Sequence, residues 1–304
     1  MSDFEQGPIR PPTEADSLLI RTTRGCPWNR CHFCTLFQGM RFSIRSVDEI
    51  KKDILAAQKH YNGYPVETCF LQDGDSFVMR TKNLIEVLKT LKLAFPSLKR
   101  ISSYGRAQSM IKKSETEMQE ICDAGLNMLY CGLESGSDQV LEKVRKGTTT
   151  EAVVQSSLRA RLAGMELMMF IILGLGGREL SDQHVRGTAQ VLNQIGPDQI
   201  RILSLGVKPE TGLARMIAEG AFTLLSEIEM MQEQQKLLRQ LTGIHSRYRN
   251  YHSINLLPEV DGILPEDKSK LLATIDQFLS LSITDQQNFI LGRRLGYYQR
   301  LSDL

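Results

Sequence analysis

Short apolar runs alternate with amphipathic stretches through the first two thirds of the chain, at 18–20, 66–71, 98–101, 128–133, 167–173 and 200–205. Each is of strand length, and the near-continuous apolarity is that of strands covered on both faces, as in parallel sheets. Polar punctuation between them marks helix starts. Ser46-Val47-Asp48-Glu49, Ser114-Glu115-Thr116-Glu117 and Thr148-Thr149-Thr150-Glu151 have capping-box spacing, in which side chains satisfy backbone N–H groups that the first turn leaves unpaired. Behind the first box Val47, Ile50 and Ile54 form an apolar stripe; behind the third come Val154, Leu158 and Leu162, with Gly164 placed to end the helix. Six strands alternating with helices predict right-handed parallel crossover units and an α/β class, either an open sheet or a barrel. Both architectures gather ligands at the C-terminal ends of the strands.

The alternation stops near residue 210. Helical patterns follow at 226–241, 271–279 and 284–295, the first behind another capping box, Ser226-Glu227-Ile228-Glu229. The expected division is an N-terminal extension over 1–14, a core over 15–210 and a helical C-terminal extension over 211–304. The last stretch, Gly292-Arg293-Arg294-Leu295-Gly296-Tyr297-Tyr298-Gln299-Arg300, mixes basic and aromatic residues and reads first as a solvated helix face, with an anionic substrate or nucleic acid as the other reading. No cobalamin-type domain or small RNA-binding barrel stands out, which speaks against cobalamin-dependent methylation and tRNA methylthiolation.

Composition narrows the class a little. Charged residues are 24% of the chain and the formal net charge is +2, so neither nucleic acid nor a membrane surface is demanded by charge. Six cysteines in 304 residues, without a secretion-like leader or a membrane-length apolar run, predict reduced thiols and a cytoplasmic protein.

Three of those cysteines, Cys26, Cys31 and Cys34, fall within nine residues directly after the first apolar run. Three thiolates leave one coordination position of a tetrahedral centre open, which is how a protein keeps a metal reactive. His32 offers an alternative, a structural zinc site of three cysteines and one histidine, although its adjacency to Cys31 makes a poor chelate loop. Cys69, Cys122 and Cys131 are single and read as small buried hydrophobes.

Other strand tips also carry polar or glycine residues. The second ends in Gln72-Asp73-Gly74-Asp75-Ser76, where glycine permits close backbone approach and the carboxylates can receive an ammonium group, or where the chain simply turns. The fourth ends in Leu133-Glu134-Ser135-Gly136 and the fifth in Gly174-Leu175-Gly176-Gly177. Their shared position at one end of the sheet makes a ligand site of them.

With this cysteine loop, Asp73-Gly74-Asp75, Leu133-Glu134-Ser135-Gly136 and the glycines after the fifth strand, the chain over about residues 15 to 210 resembles the radical S-adenosylmethionine (radical SAM) superfamily. The nearest branch is that of the Elongator-type, methylthiotransferase and oxygen-independent coproporphyrinogen oxidase cores. The resemblance implies a partial (β/α)6 TIM-like barrel with a small C-terminal helical extension. It implies that Cys26, Cys31 and Cys34 hold a 4Fe-4S cluster whose remaining iron is chelated by the amino and carboxylate groups of S-adenosylmethionine. On the same likeness Phe33 packs near the adenine, Gln72, Asp73, Gly74 and Asp75 match the segment that receives the methionine amino group, and Ser103 hydrogen-bonds the cofactor. Glu134 stands near the ribose or methionine, Lys146 meets the methionine carboxylate, and Gly174 lies close to the cofactor. The implied reaction is reductive cleavage of S-adenosylmethionine to a 5'-deoxyadenosyl radical that abstracts hydrogen from a small or macromolecular substrate, in an oxygen-sensitive enzyme served by a reductant such as flavodoxin or ferredoxin. Tyr104 and Arg106 are candidates for touching that substrate. Most of the superfamily has three residues between the first two cysteines where this chain has four, Pro27-Trp28-Asn29-Arg30, an insertion that a loop absorbs at small closure cost. A non-catalytic binding or carrier protein on the same fold is the alternative of a different class.

Overall fold

A computed structural model of the chain describes residues 4–304. All six expected strands form: β1 (Leu18–Arg21), β2 (Thr68–Gln72), β3 (Arg100–Tyr104), β4 (Leu126–Glu134), β5 (Glu166–Leu173) and β6 (Gln199–Ser204). The stretch after residue 210, expected to be helical, also contains β7 (Ser246–Arg249) and β8 (Gly262–Leu264). These two escape the apolar-run criterion because they are short and because β7, Ser246-Arg247-Tyr248-Arg249, buries a single large side chain. The eight strands belong to one mostly parallel sheet, an α/β class consistent with a partial TIM-like barrel.

The chain divides into two compact units: residues up to Arg30 with Cys34–Gly132 and Glu151–Leu167, and Cys31–Phe33 with Leu133–Thr150 and Met168–Leu304. In the first, β1, β2, β3 and β4 pair in parallel and in chain order, with Leu18 beside Cys69, Cys69 beside Ile101 and Ser103 beside Leu129. The helix Val47–Tyr61 connects β1 to β2 because its stripe of Ile50, Ile54 and Ala57 is wholly buried. The opposite end of this unit is closed by Glu14, fully buried, whose carboxylate accepts hydrogen bonds from Arg100, Ser102 and the Tyr130 hydroxyl. A buried carboxylate is tolerable only with such a donor set.

In the second unit β5, β6 and β7 run parallel and β8 returns antiparallel. Met169, Ile171 and Leu173 of β5 and Ile200 and Ile202 of β6 are buried along one face, while Phe170, Ile172, Arg201 and Leu203 share the other, a consequence of the two-residue period of a strand. The capping boxes at Ser46, Ser114 and Ser226 close reciprocally. The third expected helix begins at Thr150, one residue beyond the start its box predicts, and Asp138 accepts the Thr150 N–H at 2.7 Å. Among the described residues no helix is long and apolar enough to cross a membrane.

Candidate functional site

The first unit holds Cys26 and Cys34, and the tip of β2 is fastened to the loop that carries them. Asp73 is fully buried, and its Oδ2 accepts from Arg21 Nη2 at 2.6 Å and from the Gly25 N–H at 2.8 Å, one residue before Cys26. Gly74 donates its N–H to the Gly25 carbonyl at 3.2 Å, and a Cβ at Gly74 would lie 3.0 Å from that carbonyl and 3.2 Å from Cys26 Cβ. Any larger residue would press these two backbones apart by a few tenths of an ångström. Gln72 is engaged elsewhere: its amide bonds Gly7 N–H at 2.8 Å and the Ile9 carbonyl at 2.6 Å, tying down the N-terminal segment. Ser103 is fully buried, with its hydroxyl 2.9 Å from the Tyr104 carbonyl.

Asp73 Oδ1 is buried without a donor, and Asp75 adds a second such oxygen. Asp75 is fully buried; Oδ1 accepts from the Phe77 N–H at 3.1 Å, and Oδ2 is buried with no hydrogen-bond donor. Burial drives its carboxyl up to about 6 against the opposing pull of Ser109 and Arg106. Arg106, electrostatically coupled to Asp75, has Nη1 4.0 Å from Cys26 Sγ and its guanidinium 5.8 Å from the ring of Trp28. Arg30 lies over the same ring at 5.5 Å. The four-residue gap is thus occupied by a tryptophan with a guanidinium on each of two contacts.

The second unit holds Cys31, Phe33, Glu134, Lys146 and Gly174. Cys31 Sγ lies 4.0 Å from the Lys146 carbonyl, Lys146 Nζ donates to Glu134 Oε1 at 2.8 Å, and the same ammonium stands 6.0 Å over the Phe33 ring. Four residues that the sequence marks separately therefore meet in space. Glu134 adopts a left-handed backbone (φ 62°), which ends β4 and turns its carboxylate to Lys146. The turn is locked from behind: Gly136 N–H donates to Thr188 at 2.9 Å, and a Cβ on Gly136 would lie 2.2 Å from the Gly187 carbonyl oxygen. Gly174 (φ 80°) donates its N–H to Glu233 Oε1 at 2.5 Å. Glu233 also receives the Ser181 hydroxyl and lies 3.7 Å from His184, whose other ring nitrogen is 2.8 Å from Ser135 Oγ.

The three thiolates are soft donors, whereas His32 is engaged elsewhere. His32 packs its ring against Gly212 and has Nδ1 3.2 Å from Met216 Sδ, while burial, with Arg145 and Arg215, favours its neutral form. None of the six cysteines is in a disulfide. Among the described residues no three His, Cys, Asp or Glu side chains are drawn together as a metal cage. Three soft thiolates spaced Cys-x4-Cys-x2-Cys suit an iron-sulfur cluster, and a buried carboxylate oxygen without a donor suits an ammonium group. The residues present fit both cofactors.

The pairing of Arg21 with Asp73 and the Glu233–His184–Ser135 chain had no signal in the sequence, since the partners are about fifty residues apart. Trp28 was visible as the single tryptophan inside the gap, without an indication of what it meets.

The model of the Radical SAM superfamily matches residues 20–192. The 4'-phospho-dehydrooxetanocin synthase of Priestia megaterium is 29% identical over 175 residues, covering 52% of this chain and 23% of that protein. The bacteriochlorophyllide d C-8(2)-methyltransferase of Chlorobaculum tepidum is 28% identical over 158 residues, covering 50% and 34%. This chain therefore spans about a quarter to a third of the length of these relatives. Among solved structures, the cobalamin-dependent S-adenosylmethionine radical enzyme OxsB, with aqua-cobalamin and S-adenosylmethionine bound, has a similar fold, with a TM-score of 0.56 at 15% identity over 92% of this chain and 49% of that one. The match across more than half of the chain, over the strands that carry the cysteine loop and the polar tips, means that the chain belongs to the radical SAM superfamily of enzymes.

Proposed function

We propose that this chain holds a 4Fe-4S cluster through Cys26, Cys31 and Cys34 and binds S-adenosylmethionine beside it, to cleave it reductively and abstract hydrogen from a substrate. The observation that carries the assignment is Asp75, a buried carboxylate with one oxygen lacking a donor and, unlike Asp73, no arginine ion pair on the other, on a strand tip where a Cβ on the neighbouring Gly74 would lie 3.2 Å from Cys26. When bound and reduced, the cluster supplies the electron that breaks a carbon–sulfur bond of the sulfonium and yields a 5'-deoxyadenosyl radical.

The protein's part is binding and orientation. Asp75 receives the methionine ammonium, a charge-assisted bond that also satisfies Oδ2. Lys146 gives the methionine carboxylate a cationic donor, and Glu134, paired with it at 2.8 Å, fixes where that ammonium points. Phe33 offers its ring to the adenine, and Gly174, whose Cβ side faces Met230 and Leu205, brings its backbone close to the cofactor. Asp73 and Gln72 act from beneath, the first by holding Gly25 and Arg21, the second by holding the segment at residues 7 to 9. Ser103, buried at the tip of β3, supports the same floor. A one-electron donor such as flavodoxin or ferredoxin completes the system.

Anaerobic reconstitution tests this. Iron-sulfur absorption with about four irons per chain, and 5'-deoxyadenosine released on reduction, are the expected results. A cluster that assembles without any S-adenosylmethionine cleavage, where a control enzyme turns over, would leave only a binding or carrier role. Cys31→Ala should lose the cluster, and its full retention would place the ligands elsewhere.

A further inference from the structure

The second unit carries a buried arginine, with a partly exposed one beside it, that the cofactor assignment does not use. Parallel register sets Arg201 of β6 beside Phe170 of β5 and beside Arg249 of β7. Farther along the same face Ile172, Leu203 and Phe33 belong to one apolar cluster. Arg201 therefore lies one side-chain step, about 7 Å of strand, below Leu203, which packs in the same cluster as the residue preceding Cys34.

Arg201 is only 2% exposed. Its guanidinium carbon is 3.6 Å from the centroid of the Tyr251 ring, and that of Arg249 is 5.4 Å from the same ring. Among the described residues Arg201 has no carboxylate partner, and its Nη1 and the Nε of Arg249 are buried without an acceptor. The acid that approaches the pair is Asp261, with Oδ1 3.7 Å from Arg249 Nη1. His252, half-buried, is held toward its neutral form by burial and by the charge of Arg201. Two guanidiniums on adjacent strands, of which Arg201 is buried and Arg249 is 21% exposed, face one carboxylate, so the charge of Arg201 stands out of water without an acid of its own, which costs stability unless an anion answers it. Stacking on Tyr251 covers the face of the Arg201 guanidinium and leaves the donor-bearing edge, whose fork matches a carboxylate or a phosphate.

We propose that Arg201, with Arg249 and Tyr251, binds an anionic group, carboxylate or phosphate, of the molecule on which the radical chemistry acts. That the bound molecule is the substrate rests on the function proposed above; the binding of an anion rests on these residues alone.

Calorimetric melting of the full chain, before and after reconstitution with iron and sulfide, tests it with inorganic phosphate and with succinate, against chloride at equal ionic strength. At ten times its dissociation constant a specific anion raises the Tm by about 2 °C in a chain of this size. The expected results are a shift from one of the two anions that Arg201→Met abolishes and Arg201→Lys weakens at least tenfold, and a Tm for Arg201→Met in chloride at or above that of the wild type. A response to phosphate marks a phosphate-bearing substrate, and one to succinate a carboxylate. Equal shifts in wild type and Arg201→Met, no shift beyond chloride in the wild type, or a lower Tm for Arg201→Met in chloride would overturn the proposal. Arg249→Gln is the second variant, and an undiminished anion response there counts against it as well. Failure of cluster assembly or of S-adenosylmethionine cleavage leaves the measurement made before reconstitution unaffected, so the two assignments fail separately.

Discussion

Asp75→Asn should stabilise the protein in the absence of its cofactors while weakening its grip on S-adenosylmethionine. The carboxyl of Asp75 is raised from 3.8 to about 6 because burial penalises its charge. A rise of roughly two units corresponds to about 3 kcal/mol of folding free energy lost when the group is ionised in both states. Asparagine keeps the oxygen that accepts from Phe77 and removes the charge, but it places an amide where Oδ2 has no donor, an unsatisfied group that costs about 1–2 kcal/mol. The net gain is about 1–2 kcal/mol at pH 8. Its sign follows from the raised value: the wild type is spared the penalty below about 4, loses stability as the pH rises from about 4 to about 6, and stays at its lower level above that. The advantage of the variant must therefore shrink as the pH falls from 8 to 4.5. Urea unfolding of both proteins at these two pH values, anaerobically and without iron, measures it. A variant less stable than the wild type at pH 8, or a difference independent of pH, would refute the reasoning. The same variant should bind S-adenosylmethionine at least tenfold more weakly by calorimetry, an active-site group retained at the expense of stability.

Other positions give sharp outcomes. Glu14→Ala removes the common acceptor of Arg100, Ser102 and Tyr130, and should cost about 3–5 kcal/mol in denaturant unfolding; a loss below 1 kcal/mol would show that water replaces it. Gly136→Ala forces a methyl to within 2.2 Å of the Gly187 carbonyl oxygen, and should lower stability by about 3 kcal/mol or prevent accumulation of folded protein. Gly74→Ala meets Gly25 and Cys26 at 3.0–3.2 Å, tight but not prohibitive, so iron loading should fall while the Tm changes by only a few degrees. Lys146→Met breaks a largely buried ion pair, its side chains 14% and 11% exposed, and takes the cation from Glu134, so a stability loss of about 3 kcal/mol together with S-adenosylmethionine affinity reduced tenfold is expected, and unchanged affinity would remove Lys146 from the site.

The six strands of the core, the capped helix starts at Ser46, Ser114 and Ser226 and the cysteine loop were legible in the sequence, because each is a local property. Strand apolarity has a period of two, a capping box spans four residues and a chelating loop spans nine. The same locality explains its failures. β7, with Tyr248 as its one large buried side chain, has no run to announce it and exists because it pairs with β6. Glu14 reads as part of a polar extension, and only the fold makes it the acceptor for residues 86 to 116 positions away. Among the site residues, glycine at 74 and acid at 75 were legible as types, whereas tertiary packing decided that Asp73 spends one oxygen on Arg21 and Gly25 while Asp75 meets no such ion pair, each keeping a second buried oxygen unclaimed. Arg201 is the clearest case: on paper it is one arginine interrupting an apolar strand, and only the register that sets it beside Arg249 and under Tyr251 turns it into an unanswered charge, since desolvation and partnership belong to the folded surroundings and not to the residue.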